Sequence, residues 1–267
     1  MFDVGICEQH AVSMAAGMAR AGLKPVVCIY STFLQRAFDQ IMHDVCMNGL
    51  PVVFVLDRAG IVGQDGKTHH GLYDLAYMRI PPNMVVTVPK DENEMRDLLW
   101  TALHWKKAWA IRYPRGEVLG VPLDRDMKPI IFGTAEVMRE GQAVCLAGVG
   151  EVVYAALDAA KELEEHDIKP QVVNIRFIKP IDEALVNELC DNFSDVFVIE
   201  EGTSIGGAAS AMMEAISRLR PTGPRVHTIS VGDAFPDHGE IGELREQFSL
   251  DAHGIAQRVL NIIKGGE

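Results

Sequence analysis

Short, unbroken apolar runs alternate with helix-length amphipathic segments along nearly the whole chain, and this alternation constrains the fold more than any other feature. PVVCIY (25–30), PVVFVL (51–56), MVVTV (84–88) and AWAIRY (108–113) are rich in β-branched and aromatic residues and show no polar alternation. Such strands are apolar on both faces and belong in a parallel sheet covered by helices on both sides. Between them, Val12, Ala15, Ala16 and Ala19 recur at helical spacing, which predicts a helix over 9–21 that stops at Gly22. A second helix is predicted over 33–48, ending at Gly49, and a third over 91–105, with acidic residues in its first turn. FDVGI (2–6) reads as a further strand.

The pattern lapses between Gly116 and Pro129 into Gly, Pro, Asp and Lys without period, as expected of a linker. It then resumes, with strands expected near 143–147, 171–175, 196–199 and 226–231 and helices near 152–165, 182–191, 207–219 and 251–263. The fold class expected is α/β, with two successive domains that each hold a mainly parallel sheet flanked by helices. The division is placed at 1–120, a linker over 121–130, and 131–267. A length of 267 residues agrees with about two domains at roughly 150 residues each.

Composition narrows the function classes. Hydrophobic residues at 48% and charged residues at 23% are those of a folded globular protein. A net charge of -12 disfavours non-specific nucleic-acid or anionic-membrane binding, so a phosphate-bearing ligand must be held by a few local cations. The five cysteines include no Cys-x-x-Cys pair, which argues against a disulfide framework or zinc site and fits a reduced, cytoplasmic setting. Cys28 and Cys145 lie in apolar runs and read as small buried hydrophobes. No apolar stretch approaches the length of a membrane span.

The densest site chemistry lies in DRAGIVGQDGKTHHG (57–71), directly after the PVVFVL strand. Gly60, Gly63, Gly66 and Gly71 break any regular period, while Arg58, Asp65, Lys67, His69 and His70 supply anion-binding and proton-transfer groups. Ligands of open parallel sheets bind beyond the carboxyl ends of strands, although many such loops are merely polar. Glu8, in GICEQHA, stands at a strand-to-helix junction among apolar neighbours. It reads either as a partly desolvated acid/base group suited to a heterocyclic nitrogen or as a helix-start glutamate favoured by the macrodipole. Phe33 and Arg36, three apart, offer a flat apolar surface beside a forked cation, or a core aromatic with a snorkelling arginine. Arg112 and Arg115 sit at the same sheet edge as Tyr30 and Arg58, converging on an anion or pairing with acids. Glu200 and Glu201 read as a solvated or ion-paired strand end, and His10 as a packing or capping residue.

Taken together, FDVGICEQHAV, IYSTFLQRAFDQ, DRAGIVGQDGKTHHG, PKDENE, IRYPRG, VVNIRFIKPID and IEEGTSIGGAAS resemble the 1-deoxy-D-xylulose-5-phosphate synthase family of thiamine-diphosphate enzymes, within the transketolase superfamily. The resemblance covers essentially the whole chain, as a pyrimidine-binding domain followed by a transketolase C-terminal domain. It implies condensation of pyruvate with glyceraldehyde 3-phosphate with loss of carbon dioxide, in isoprenoid precursor synthesis. Glu8 matches the glutamate that hydrogen-bonds the aminopyrimidine, and Phe33 and Arg36 match its cofactor-binding neighbours. Tyr30, Arg58 and Arg115 match substrate-binding positions, Asp65 and His69 match polar groups at the reacting centre, and Lys67 and His70 are left without assigned roles. A homodimer is expected.

The family's pyrophosphate-binding domain, with its Gly-Asp-Gly motif for magnesium and the diphosphate, has no counterpart in this sequence; Gly232-Asp233 with Asn261 is a coincidental echo. The chain is therefore expected to be a truncated piece, a processed fragment or a split-gene product that needs that domain in cis or in trans, and to be inactive alone. The alternatives are the small subunit of a split transketolase or ketoacid dehydrogenase, and a non-catalytic dimerisation module.

Overall fold

A computed structural model describes residues 1–265. The first half runs α1 (Glu8–Arg20), β1 (Val26–Tyr30), a broken helical run containing α2 (Ser31–Leu34) and α3 (Phe38–Gln40), β2 (Val53–Ala59), α4 (Asp74–Arg79), β3 (Val85–Thr87), α5 (Glu92–His104) and β4 (Trp109–Pro114). The second half runs β5 (Glu136–Arg139), β6 (Cys145–Gly148), α6 (Val152–Glu164), β7 (Gln171–Asn174), β8 (Phe177–Lys179), α7 (Glu183–Asn192), β9 (Asp195–Ile199), α8 (Ala208–Leu219), β10 (Arg225–Ile229), α9 (Ile241–Gln247) and α10 (Ala252–Ile263). Two sheets result, in the orders β1-β2-β4-β3-β8 and β10-β9-β6-β7-β5. Each is parallel except for its last strand, since β8 joins β3 and β5 joins β7 antiparallel. The expected fold class is the one observed.

The apolar runs form the sheet interiors, where β4, β6, β7 and β9 bury nearly every residue. Burying a side chain such as Phe54, Trp109 or Phe197 stabilises the fold by about 1.5–3 kcal/mol. On α1 the buried stripe is Ala11, Val12, Ala15, Ala16 and Ala19, small residues that let the helix lie close to its neighbours. The helix expected over 33–48 is not uniform: α2 passes through a 3₁₀ turn at Gln35–Ala37 into α3, and then into a π-helical stretch at Ile41–Cys46.

Three elements were not legible in the sequence pattern. β8 lies in the second half of the chain yet completes the first sheet, through Val86↔Lys179 and Thr87↔Phe177. β5 is a half-exposed edge strand, and α4 is a single short turn-and-a-half after the glycine-rich loop. FDVGI forms no strand: residues 1–7 are largely exposed, and β1 is left at the sheet edge. Cys28, on that edge, is exposed rather than buried, and His10 is exposed on α1.

The halves are joined by more than β8. Glu94, buried at the start of α5, accepts from its own Lys90 N–H at 2.7 Å and from Asn174 Nδ2 at 3.0 Å, with Arg176 Nη1 3.3 Å away. Residues 115–135 have no helix or strand and are tied to α5, where Glu92 Oε1 accepts the Gly120 and Val121 amides at 2.7 and 2.9 Å. No helix among the described residues is long and apolar enough to cross a membrane.

Candidate active site

Two walls meet at the carboxyl edge of the first sheet. The first is built by α1, β1 and α2. Glu8 is the first residue of α1, where the helix N-terminus favours a carboxylate, and it is only 7% exposed. Its Oε2 lies 3.3 Å from Arg36 Nη1 but has no hydrogen-bond partner, which is costly for a buried acceptor. Glu8, Tyr30, Phe33 and Arg36 together line one open cavity of about 1080 Å³, whose remaining wall includes Met14 and Met18.

The second wall is the loop between β2 and α4, which a register shift in the β2–β4 pairing after Leu56 turns out of the sheet. Arg58 sits at φ 56°, a left-handed conformation uncommon outside glycine, and its guanidinium carbon lies 3.9 Å from the Tyr30 ring centroid. Tyr30 stacks on Phe33, with centroids 5.7 Å apart and planes at 21°. Phe33 meets the His69 ring edge-on at 5.2 Å. Asp65 Oδ2 lies 2.7 Å from Arg115 Nη1 and 4.0 Å from Arg58 Nε. Thr32 Oγ1 donates to the Thr68 carbonyl at 3.2 Å, tying α2 to the loop beside His69.

The eight residues matched through the resemblance therefore form two contact groups, the Glu8–Arg36 pair and a run through His69, Phe33, Tyr30, Arg58, Asp65 and Arg115, with Glu8, Arg36, Phe33 and Tyr30 lining the same open cavity. Burial and the nearby Asp57 carboxylate push the Tyr113 hydroxyl up to about 12, so it stays protonated beside this edge.

Other charged residues weighed in the sequence do structural work. Arg112 is buried, pairs with the buried Asp74 at 2.8 Å and donates to the Gly71 and Glu201 carbonyls at 3.2 and 3.0 Å. The ion-pair reading holds for it, and the anion-binding reading does not. Lys67 pairs with Asp237 at 2.8 Å. Neither acid of the Glu200-Glu201 pair is solvated. Glu200 accepts the first amides of α8, from Ala208 and Ala209 at 2.7 and 2.9 Å, and burial holds its carboxyl above the usual range. Glu201 Oε1 pairs with Arg245 Nε at 2.6 Å, while its Oε2 accepts the Ile61 amide at 3.3 Å.

The loop is closed at its neck by reciprocal bonds between Gly60 and Gly71, at 2.7 and 2.9 Å. A Cβ on Gly60 would stand 2.5 Å from Glu201 Oε2, and that residue is also at φ 75°, so only glycine fits. Sequence reading missed Glu201 and Asp237 as partners of this loop. The contacts span 140 positions or more, and no local pattern signals them. Among the described residues no cluster of three or more His, Cys, Asp or Glu side chains is placed to hold a metal ion.

Comparison with known proteins fits this geometry. The family model "Transketolase, pyrimidine binding domain" matches residues 1–119, and "Transketolase, C-terminal domain" matches 133–255. The chain is 46% identical over 263 residues to the 1-deoxy-D-xylulose-5-phosphate synthase of Dictyoglomus thermophilum, covering 98% of this chain and 42% of that protein. It is 49% identical over 259 residues to 1-deoxy-D-xylulose-5-phosphate synthase 2 of Geobacter sulfurreducens, covering 97% and 41%. Among solved structures, a split gene transketolase described as an inactive beta4 tetramer superposes with a TM-score of 0.85 at 32% identity, over 97% of this chain and 82% of that one. Transketolase from Campylobacter jejuni shares the fold, with a TM-score of 0.77 at 19% identity, over 97% of this chain and 39% of that one. The chain spans about 42% of the length of curated relatives such as the Dictyoglomus synthase. It belongs to the transketolase family, as a pyrimidine-binding domain followed by a transketolase C-terminal domain, and within that family it resembles 1-deoxy-D-xylulose-5-phosphate synthases.

Proposed function

We propose that this chain supplies the pyrimidine-binding wall of a thiamine-diphosphate site and that the assembled enzyme condenses pyruvate with glyceraldehyde 3-phosphate, with loss of carbon dioxide. The observation that carries the reading is the Glu8 carboxylate, buried at an open cavity beside an aromatic ring, with Oε2 ion-paired to Arg36 but accepting no hydrogen bond. Those residues fit an aminopyrimidine, because an acceptor without a donor suits a protonated ring nitrogen and Phe33 offers a stacking face. When bound, thiamine diphosphate supplies the carbon nucleophile and electron sink that decarboxylation of a ketoacid needs.

This chain's own residues have the remaining tasks. Glu8 holds or shares a proton at the pyrimidine nitrogen through Oε2, and Arg36, 3.3 Å away, keeps that carboxylate oriented. Arg58 and Arg115 hold the phosphate of the acceptor aldehyde, an anion suited to their forked donors, with the Tyr30 face supporting Arg58. His69 and Asp65 stand between these groups and move a proton at the acceptor carbonyl oxygen. Magnesium and the diphosphate are held by a pyrophosphate-binding domain supplied in cis or in trans, and the working assembly is a homodimer of the two-part unit.

A second reading, the small subunit of a split transketolase, has one observation in its favour: the 32% identity over 82% of the split gene structure. The 46–49% identity to the synthases favours the first reading. The test is to combine this chain with the pyrophosphate-binding portion of a related synthase and to measure carbon dioxide release and product from pyruvate and glyceraldehyde 3-phosphate. Activity in the mixture but in neither part supports the proposal, and turnover of transketolase sugar phosphates alone supports the second reading. A Glu8→Gln variant as active as the parent would remove the assignment of Glu8.

A further inference from the structure

His70 is 3% exposed and both of its ring nitrogens are engaged, yet it touches none of the residues assigned to cofactor or substrate. The Val62 amide donates to Nδ1 at 3.1 Å, so Nδ1 is the unprotonated nitrogen. Nε2 then carries the hydrogen and donates to the carbonyl of Asp237, 3.2 Å away in the second domain. One neutral ring thus links the loop's outgoing limb, which carries His69, to its incoming limb at Val62 and to the second domain.

Nearby contacts reinforce that link. Arg115 Nη1 donates to the Val62 carbonyl at 3.1 Å, so Val62 is held through its amide by His70 and through its carbonyl by a substrate-site arginine. The segment that receives His70 also packs on the loop's glycines, since a Cβ on Gly66 would stand 3.2 Å from His238 Cβ, and one on Gly63 would stand 2.9 Å from Ile241. Gln64 Nε2 donates to Glu240 Oε1 at 2.6 Å.

We infer that His70 is a positioning residue through which the second domain sets the spacing between His69 on one limb of the loop and Asp65 with Arg115 on the other. The inference rests on the proposed function for its catalytic meaning. The buried ring fixes the registration of two limbs that carry acceptor-site groups, so its loss is felt in handling of the acceptor aldehyde before that of pyruvate. An amide side chain presents one acceptor and one donor across a single carbon, as the neutral imidazole does, so glutamine is the conservative replacement.

The experiment compares His70→Phe, which keeps a ring but removes both nitrogens, with His70→Gln and with Lys106→Ala, at an exposed position outside the loop, as a control. Hydrogen exchange at the Val62 amide is measured in this chain, and KM for each substrate is measured with the pyrophosphate-binding portion supplied. His70→Phe is expected to speed Val62 exchange and raise the aldehyde KM by about tenfold each, the scale of one to two hydrogen bonds, with the pyruvate KM unchanged. His70→Gln is expected to restore both values, and Lys106→Ala to leave both alone. If His70→Phe does not fold, His70→Leu, which also removes both nitrogens, takes its place with the same expectation. Unchanged Val62 exchange, or a rise in both KM values together, overturns the inference. If the parent shows no activity with the supplied portion, the proposed function fails, and the exchange result alone decides whether His70 holds the loop.

Discussion

The two walls of the site differ in how their buried polar atoms are satisfied. On the loop side, the His70, Arg112 and Glu201 side chains are hydrogen-bonded, tying the loop to β4 and to the second domain, and Arg58 Nε is the one of its buried side-chain atoms left without a hydrogen bond. On the side of α1, β1 and α2, Glu8 Oε2 and Ser31 Oγ are buried without hydrogen bonds, Oε2 having only its ion pair with Arg36, and β1 is a sheet edge beside an open cavity. Buried polar groups normally find partners, so the difference separates a wall that is nearly complete within the chain from one that opens on a cavity.

The sharpest way to break the loop wall is through Arg112. Removing one member of a buried ion pair leaves the other charge uncompensated, so Arg112→Met is expected to cost about 3–5 kcal/mol of stability by urea or thermal unfolding. A cost under about 1 kcal/mol, the level of an exposed pair, would remove Arg112 from the scaffold. The open wall gives the opposite signature: Glu8→Gln is expected to lower turnover of the reconstituted enzyme by roughly a hundredfold or more, the scale of a lost proton-transfer group, with little change in melting temperature.

A gentler probe lies at the junction between the halves. Burial is the largest influence on Glu94 and raises its carboxyl, against the opposing pull of Lys90, the Lys90 amide, Asn174 and Arg176. A carboxyl raised in the folded state contributes most below its ordinary value of about 4.3 and loses that contribution as pH climbs through the raised value. Relative to Glu94→Gln, the parent chain should therefore lose stability as pH rises from about 4.3 toward neutrality. Melting curves of the two proteins in parallel test this, and a parent that gains on the variant over that range would reverse the sign.

The same contrast governs what the sequence made legible. Strands buried on both faces announce themselves as unbroken apolar runs, and α1 by its 3.6-residue alanine stripe, because each signal lies within a dozen residues. β8 could not be read that way. Its three residues become a strand only by pairing antiparallel with β3, about ninety positions upstream in the first domain. FDVGI has a strand's composition but no partner among the described residues, and Cys28 is exposed because the strand that carries it lies at the edge. Glu8, Phe33, Arg58, Asp65 and His69 were visible through their motifs. The groups that hold the loop in place were not, since Glu201 and Asp237 act across distances that no local pattern encodes.

The proposal that the open wall takes up its cofactor only with a pyrophosphate-binding portion present is tested most directly by calorimetric titration of thiamine diphosphate with magnesium. The titration is made into this chain alone and then into the chain with the pyrophosphate-binding portion present. No tight binding to the chain alone and tight, magnesium-dependent binding to the pair is the predicted result. Tight, magnesium-dependent binding by the chain alone would contradict it.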